Sequence, residues 1–340
     1  MTRRLAPWAT TSAAILVLVA SIAASLTLGP VHVAIGDVAS LVLHHLGLGP
    51  APDISTIKAA TVWELRLPRA LLAALCGAGL AACGAVLQSL LRNPLADPYL
   101  LGISAGASTG AVVMLFLAPV AFAWGQAASA LIGALVAFGA AVLLARASGG
   151  GNQRIILAGV AVTHLFSALT SFLIMATADS NKTRGVMFWI LGSLASSSWT
   201  DVGLAALVVG IGLIVILGNA HALDAFTFGA DHAATLGVNV RRVRIALITV
   251  TALLTATVVS QSGGIGFVGL VLPHVGRLLC GVAHRALLPT ASLTGAIFLV
   301  WADTLGRTVA APVEIPVGVI TALIGVPVFA ALMMRHRNLS

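Results

Sequence analysis

The feature that most constrains the fold is an uncharged run of 22 residues between Arg69 and Arg92. About 20 apolar residues in an α-helix cross the roughly 30 Å hydrocarbon core of a bilayer, so this run predicts a membrane-spanning helix. Asn93-Pro94 ends the helix, because proline disfavours helical geometry in the residue before it and lacks an N–H. A second apolar run follows Pro98. Two spans joined by a short charged hinge indicate a polytopic membrane protein.

Composition supports this conclusion and excludes other classes. Hydrophobic residues make up 59% of the chain and charged residues 8%, whereas soluble domains have about 25% charged residues. The net charge is +8, but the basic residues lie singly or in short groups, without the aromatic-interleaved stripe of a nucleic-acid-binding surface. The three cysteines and nine histidines show no metal-ligand spacing. We therefore expect no metal site, no cofactor bound by this chain and no nucleic-acid partner.

Hydropathy and helix-breaking residues predict an all-α fold with about ten transmembrane helices in a single domain, residues 1–340. The predicted spans cover residues 11–29, 70–91, 99–118, 124–145, 155–178, 201–218, 245–262, 266–281, 287–305 and 316–334. The eighth contains Pro273, so nine or eleven spans remain possible. The first follows Arg3 and Arg4 and is interpreted as an uncleaved helix rather than a signal peptide. Residues 185–195 are too short to cross and predict a half-helix.

Orientation follows from the distribution of basic residues. A cytoplasmic N-terminus places twelve of the 18 Lys and Arg residues on the cytoplasmic side, in agreement with the positive-inside rule. The six on the outer side are Lys58, Arg66, Arg69, Lys182, Arg184 and Arg307. Both termini are therefore predicted to be cytoplasmic.

The longest predicted cytoplasmic loop covers residues 219–244. Asp224 and Asp231 suit helix N-caps, and Gly229 and Gly237 suit helix ends, so the loop predicts two short helices. Their apolar side would dock a cytoplasmic partner or lie on lipid headgroups. The residues of that side are Phe226, Phe228, Ala233 and Leu236.

Two patterns typical of enzymes occur by spelling. GIGFVG at 264–269 lies between apolar spans instead of after a strand, which favours helix packing over nucleotide binding. GISAG at 102–106 resembles a nucleophile elbow around Ser104, and His164 or His274 could complete an intramembrane serine protease. Glycines at four-residue spacing after this serine favour close helix packing instead. The protease remains an alternative.

The energy source is a separate question. The spans hold few acidic residues, which disfavours an ion-coupled secondary transporter without excluding it. The chain has only two lysines, Lys58 and Lys182, and neither follows a Walker A glycine loop. If ATP drives this protein, another chain must hydrolyse it.

Nine motifs together suggest a family. In chain order they are RLPR (66–69), GAVLQ (84–88), RNPLADPYLLG (92–102), SAGA (104–107), GADHAATLGV (229–238), GIGFVGLVLPHVGRLL (264–279), HRALLP (284–289), ADTLGR (302–307) and EIPVGVITALIGVPVF (314–329). Over residues 60–335 the chain resembles permeases of the iron-chelate and cobalamin branch of bacterial ABC importers.

The resemblance implies a cobalamin/iron-chelate permease-like fold in the inner membrane. It also implies a second copy of the chain with the transport path at the two-fold axis, two cytoplasmic ATPase subunits that hold ATP and Mg, and a periplasmic substrate-binding protein. The expected substrate is an iron chelate, haem or a ferric siderophore, and cobalamin is the alternative. No catalytic residue is implied.

Positions that match the family motifs suggest roles for individual residues. They are binding-protein docking by Arg66, Arg69 and Arg307; a cytoplasmic gate of Asn93, Leu95, Asn152 and Gln153; ATPase coupling by Gly229, Ala233, Leu236 and Gly237; and a path lined by Thr163, Ser167, Thr170 and Ser171. The docking arginines are expected to be exposed and to attract carboxylates. Interfacial anchoring by the arginines and loop capping by the gate residues are the alternatives. Asp303 is expected to pair with Arg307, four residues later.

Overall fold

The computed structural model describes residues 7–29, 31–50, 52–117, 122–176 and 180–337, and these form helices without any β-strand. Arg3 and Arg4 lie outside the described residues. The helices are α1 (Pro7–Thr27), α2 (Ile35–His45), α3 (Thr56–Ala60), α4 (Leu67–Leu91), α5 (Ile103–Leu117), α6 (Phe122–Ala147), α7 (Asn152–Met175), α8 (Ser180–Ile190), α9 (Trp199–Gly218), α10 (Ala220–Thr227), α11 (Ala230–Thr235), α12 (Val240–Ser262), α13 (Val268–Cys280), α14 (His284–Thr308) and α15 (Val317–Arg337).

A helix occupies each of the ten predicted spans. Among the described residues, seven helical segments are long and apolar enough to cross a membrane, and shorter apolar segments in α5, α13 and α15 account for the other three. The 13 residues of α13 measure about 20 Å at 1.5 Å per residue, which is less than the bilayer core. The predicted half-helix at 185–195 is present only in part, because α8 begins at Ser180 and ends at Ile190. No feature of the sequence predicts α2.

The bundle is organised around α4. Apart from Arg69 and Gln88, its residues are apolar or small on every side, and nearly all of them are buried, as expected for a helix surrounded by others. Two glycines let neighbouring backbones approach closely. A methyl group at Gly77 would overlap the carbonyl oxygen of Gly295 in α14, and one at Gly84 would overlap that of Gly269 in α13. These crossings replace side-chain packing with backbone contact.

Side-chain contacts show that α4 and α14 are antiparallel. Arg69 near the start of α4 contacts Asp303 near the end of α14, while Ser89 near the end of α4 contacts His284, the first residue of α14. The 25 residues of α4 separate these contacts by about 30 to 37 Å. The end with Arg69 and Asp303 is called the arginine end below, and the end with Ser89, His284, α10 and α11 the loop end.

Candidate functional site

The two short helices predicted at 219–244 are present at the loop end as α10 and α11. The connection is shorter than predicted, because α12 begins at Val240 instead of residue 245. Gly229 (φ +114°) precedes α11 and Gly237 (φ +80°) follows it. Both φ angles lie in the region that favours glycine, so these residues set the turns on either side of α11.

The predicted N-caps in this loop are wrong. Asp231 is the second residue of α11, whose N-cap is Gly229. Asp224 lies inside α10, and its Oδ1 accepts a hydrogen bond from the backbone N–H of His284 at 2.9 Å. Asp224 therefore caps α14, a helix that begins 60 residues later in the chain.

The apolar residues of the loop separate into two sets. Phe226 and Ala233 are buried, at 1% and 0% exposure, whereas Phe228 and Leu236 are 73% and 63% exposed. Ala233 therefore faces the protein interior and does not offer the contact surface predicted for it. The exposed pair, flanked by Gly229 and Gly237, is called the coupling surface below.

The predicted gate residues mostly meet where α4 ends. The N–H of Asn93 donates to the carbonyl of Gln88, and Asn93 Oδ1 accepts from the N–H of Leu95 at 2.9 Å. Asn152 Nδ2, at the start of α7, donates to the carbonyl of Leu90 at 3.3 Å. These bonds are loop and helix-end caps, which tie the start of α7 to the end of α4.

The hinge that follows contains a polar cluster. Asp97 Oδ1 accepts from the N–H of Tyr99 at 2.9 Å, and the hydroxyl oxygen of Tyr99 accepts from the N–H of Ile265 at 3.0 Å. Desolvation raises the pKa of the Asp97 carboxyl to about 6, against the opposing effect of the bond from Tyr99. This carboxyl therefore takes up a proton more readily than an exposed aspartate does.

The predicted path residues lie on two different faces of α7. At 100° per residue, Ser167 and Ser171 share a face with His164 and Gln153, and all four are exposed. Thr170 lies about 100° around the helix from Ser171, is 6% exposed and shares a 2.8 Å hydrogen bond with Thr109 of α5.

The path prediction is therefore wrong for Thr170, which packs between two helices of its own chain. Thr163 is half-buried and bonds the carbonyl of Gly159 in its own helix. The four polar residues that share this exposed face of α7, which are Gln153, His164, Ser167 and Ser171, are called the polar stripe. Sequence analysis missed the contribution of His164, although its spacing of three and seven residues from the serines could have revealed it.

The docking arginines are not exposed as expected. Arg66 is 7% exposed, and its guanidinium donates to the carbonyls of Leu26 at 2.7 Å and Val31 at 2.6 Å. Arg307 donates to the carbonyls of Ser25 and Leu28. These carbonyls end α1 or follow it closely, where helix geometry leaves acceptors without partners. Both arginines therefore hold the end of α1 in place.

Arg69 is held by two carboxylates of its own chain. Its Nε donates to both oxygens of Asp303, at 2.9 and 3.0 Å, and its terminal nitrogens donate to Glu314 at 3.2 and 3.1 Å. The expected Asp303–Arg307 pair is present but longer, at 3.8 Å. Arg69 is therefore the main partner of Asp303, and Glu314, with a side chain 39% exposed, is the open member of the group.

The glycines beside Ser104, which sequence patterns linked to a possible enzyme site, pack against another helix. A methyl group at Gly106 would overlap the carbonyl of Gly133 in α6, and one at Gly110 would overlap that of Ser129. The glycine face that follows Ser104 is therefore a helix-packing surface. In the described part of the chain, no three His, Cys, Asp or Glu side chains are grouped to hold a metal ion.

Comparison with known proteins connects these features to a family. The FecCD transport family matches residues 15–335, nearly the whole chain. The chain belongs to the FecCD transport family. This confirms the resemblance inferred from the sequence motifs.

Relatives in the family include named importers. A cobalamin import system permease protein from Halobacterium salinarum is 44% identical over 273 residues, which cover 80% of this chain and 73% of the relative. A hemin transport system permease protein from Yersinia pestis is 40% identical over 282 residues, covering 82% and 84%. A solved structure of a metal-chelate type ABC transporter in an inward-facing conformation matches with a TM-score of 0.83 at 30% identity, over 96% of this chain and 98% of that one. The all-α permease fold is thereby confirmed.

Proposed function

We propose that this FecCD-family protein is the permease subunit of an ATP-driven importer, which carries an iron chelate, haem or a ferric siderophore, from the periplasm into the cytoplasm. The observation that carries the proposal is the polar stripe. Hydroxyl, amide and imidazole groups on an exposed face of a membrane-spanning helix are costly against lipid and mark protein contacts or water-filled pathways. The relative from Yersinia pestis, named for hemin transport, supports the choice of substrate.

A second copy of the chain would cover the polar stripe and place the path between two subunits. The exposed groove of about 560 Å³ on α15, lined by Leu323, Val326 and Pro327 and by Leu191 across from them, is almost entirely apolar and suits a helix of that copy. Ser167 and Ser171 would then line a path of small hydroxyl groups. Such a lining passes a bulky chelate without holding it tightly, so selectivity would lie in the binding protein.

The coupling surface is proposed to dock on a cytoplasmic ATPase subunit, which would bind ATP and Mg. Phe228 and Leu236 project from two short helices at the loop end, where most basic residues of the chain also lie. This assignment places both termini in the cytoplasm, in agreement with the positive-inside rule. The flanking Gly229 and Gly237 would set the angle at which the surface meets its partner.

Replacing Phe228 with aspartate should weaken binding of the ATPase subunit at least about tenfold, because an exposed aromatic anchor at an interface is replaced by a charge. Titration of the detergent-solubilised permease with purified ATPase subunit measures the affinity. Ser148→Asp adds the same charge to an exposed turn before α7 and should leave the affinity unchanged. Equal affinities for the two variants would exclude the coupling surface.

The binding protein is proposed to dock at the arginine end. Arg66 and Arg307 are engaged with α1, so Arg69 is the remaining candidate among the predicted docking residues. Its bond to Glu314 is the exposed one, and a carboxylate of the binding protein could replace Glu314 as its partner. Binding would then exchange one ion pair for another and leave the buried Arg69–Asp303 pair intact.

Cobalamin is the second candidate substrate, because the relative from Halobacterium salinarum, at 44% identity, is named for cobalamin import. An ion-coupled carrier is disfavoured, since Asp303, an acid inside α14, is ion-paired to Arg69. The chelate that stays bound to the partner binding protein during purification distinguishes haem, siderophore and cobalamin.

A further inference from the structure

Three polar side chains form a continuous hydrogen-bonded chain across the loop end. Asp224 lies in α10, His284 begins α14, and Ser89 lies in the last turn of α4. Asp224 Oδ1 is 2.6 Å from His284 Nδ1, and His284 Nε2 is 2.6 Å from Ser89 Oγ. We propose that His284 is a positioning residue of the transport cycle, which transmits movement of the coupling loop to the gate. This inference rests on the proposed function.

The connection between Asp224 and His284 is a double one. The same oxygen of Asp224 accepts from both the backbone N–H and the ring Nδ1 of His284. The residue before His284 is Ala283, which has no side-chain acceptor for the first turn of α14. Asp224 supplies that acceptor from another helix, so α10 and the start of α14 move together.

The Asp224 carboxylate fixes one proton of the chain: it only accepts hydrogen bonds, so Nδ1 of His284 carries a proton. In neutral histidine Nε2 is an acceptor for the hydroxyl of Ser89, which also lies 3.0 Å from the carbonyl oxygen of Ala85 in its own helix. Ser89 and His284 are 5% and 1% exposed. Breaking a hydrogen bond at this depth leaves a polar group without water, so the connection resists separation.

The last turn of α4 connects Ser89 to the predicted gate residues. The two predicted gate elements attach to the same turn of α4: Asn93 bonds the carbonyl of Gln88, and Asn152 bonds that of Leu90. A displacement of Ser89 therefore moves the anchors of both elements. Arg92, at φ +50°, then turns the chain out of the helix.

A cavity beside the hydrogen-bonded chain gives these elements room to move. It measures about 710 Å³, and its lining includes Ser89, Asn93, Asp224, Phe228 and His284. The coupling loop and the end of α4 thus share an open space on one side instead of a packed interface. Buried apolar residues of α10 also contact α4, but apolar side chains can slide past one another. The hydrogen bonds hold their partners in a fixed orientation, so they transmit the movement of α10.

Ser89→Ala is the sharpest test, because it removes the hydroxyl that links His284 to α4 and otherwise loses only a bond to the Ala85 carbonyl within α4 itself. In the assembled complex, both permease copies carry a nitroxide label at Leu95→Cys, and Cys280 is replaced by serine so that it is not labelled. Pulsed electron resonance measures the distance between the two labels, with and without a non-hydrolysable ATP analogue. In Ser89→Ala, the fraction of complexes whose label distance changes on nucleotide binding should fall at least about fivefold, which is the lower range of typical coupling between sites. ATPase binding should stay unchanged, and the thermal unfolding midpoint should fall only slightly, because Nε2 of His284 loses its buried partner.

Two further variants separate transmission from stability. Ser89→Thr keeps the hydroxyl and should retain the shift, and Ser260→Ala removes a buried hydroxyl that bonds only its own helix and should behave like the parent. A full shift in Ser89→Ala overturns the role of His284 while leaving the proposed function in place. The absence of any nucleotide-dependent shift in the parent complex overturns both.

Discussion

Replacing Gly84 with valine is expected to prevent the permease from folding into a stable bundle. A methyl group at this position overlaps the carbonyl oxygen of Gly269, a backbone atom that cannot turn aside, so α13 must separate from α4. Overpacking typically costs about 1–3 kcal/mol and more where the neighbour is rigid; we expect about 4 kcal/mol or more here, within the range of exceptional single substitutions. Recovery of monodisperse protein from membranes and its thermal unfolding midpoint measure the effect.

Gly139 in α6 provides the matched control, because nothing lies within 4 Å of a methyl group added there. Gly139→Val should leave the stability unchanged or raise it slightly, because valine has a higher helix propensity than glycine. If Gly84→Val and Gly139→Val unfold at the same temperature, the close crossing of α4 and α13 does not hold the bundle together.

Replacing Asp303 with alanine should be the second most damaging change. The carboxylate is 4% exposed and ion-paired with Arg69, so its loss leaves a mostly buried guanidinium with only the more exposed Glu314 as partner. Removing one member of a buried pair costs about 3–5 kcal/mol. Glu314→Gln removes an exposed partner of the same arginine and should cost about 0–1 kcal/mol. Unfolding in a denaturing detergent gives both values.

The double variant Asp303→Ala, Arg69→Met should recover part of the stability lost in Asp303→Ala, because it no longer leaves a charge unpaired. Strictly additive losses would show that the two residues act independently. The result also affects docking experiments. A charge reversal at Arg69 would disturb folding and binding-protein capture together, whereas Glu314→Gln frees the guanidinium and leaves the buried pair in place.

The spans could be predicted from the sequence because membrane crossing is a property of local composition. A run such as residues 70–91 has one stable state in a bilayer, a helix, whatever its neighbours are. The short helices at 219–244 were also predictable, since Gly229 and Gly237 mark turns through their own backbone geometry. The helix α2 was missed, because its 11 residues are too few to stand out in a hydropathy profile.

The partners of charged side chains could not be predicted, because they depend on contacts between distant parts of the chain. Arg69 and Asp303 are 234 residues apart in the sequence, while Arg307 is only four residues from Asp303 and is the partner that helical spacing predicts. The sequence likewise predicts that Asp224 caps its own helix, because the start of α14 is 60 residues away. Spacing along a helix shows which residues share a face, but not which other helix lies opposite.

The polar stripe could be predicted from the sequence only in part. The family resemblance predicts Ser167 and Ser171 from their place in the fifth span, and helical geometry alone adds His164 and Gln153 to them. Thr170 has the same chemistry and lies on the same helix, but a 100° rotation per residue turns it toward α5. A prediction of the path from hydroxyl residues therefore needed the direction of each side chain.

The most direct test of the account is uptake into sealed liposomes that contain this chain, with and without its ATPase subunit. Haemin, a labelled ferric siderophore and labelled cobalamin, each with its binding protein outside, are the probes, and ATP is enclosed with the ATPase. ATP-dependent accumulation of one of these chelates is expected only when the ATPase subunit is present. Accumulation by this chain alone, driven by a proton or sodium gradient, would contradict this expectation.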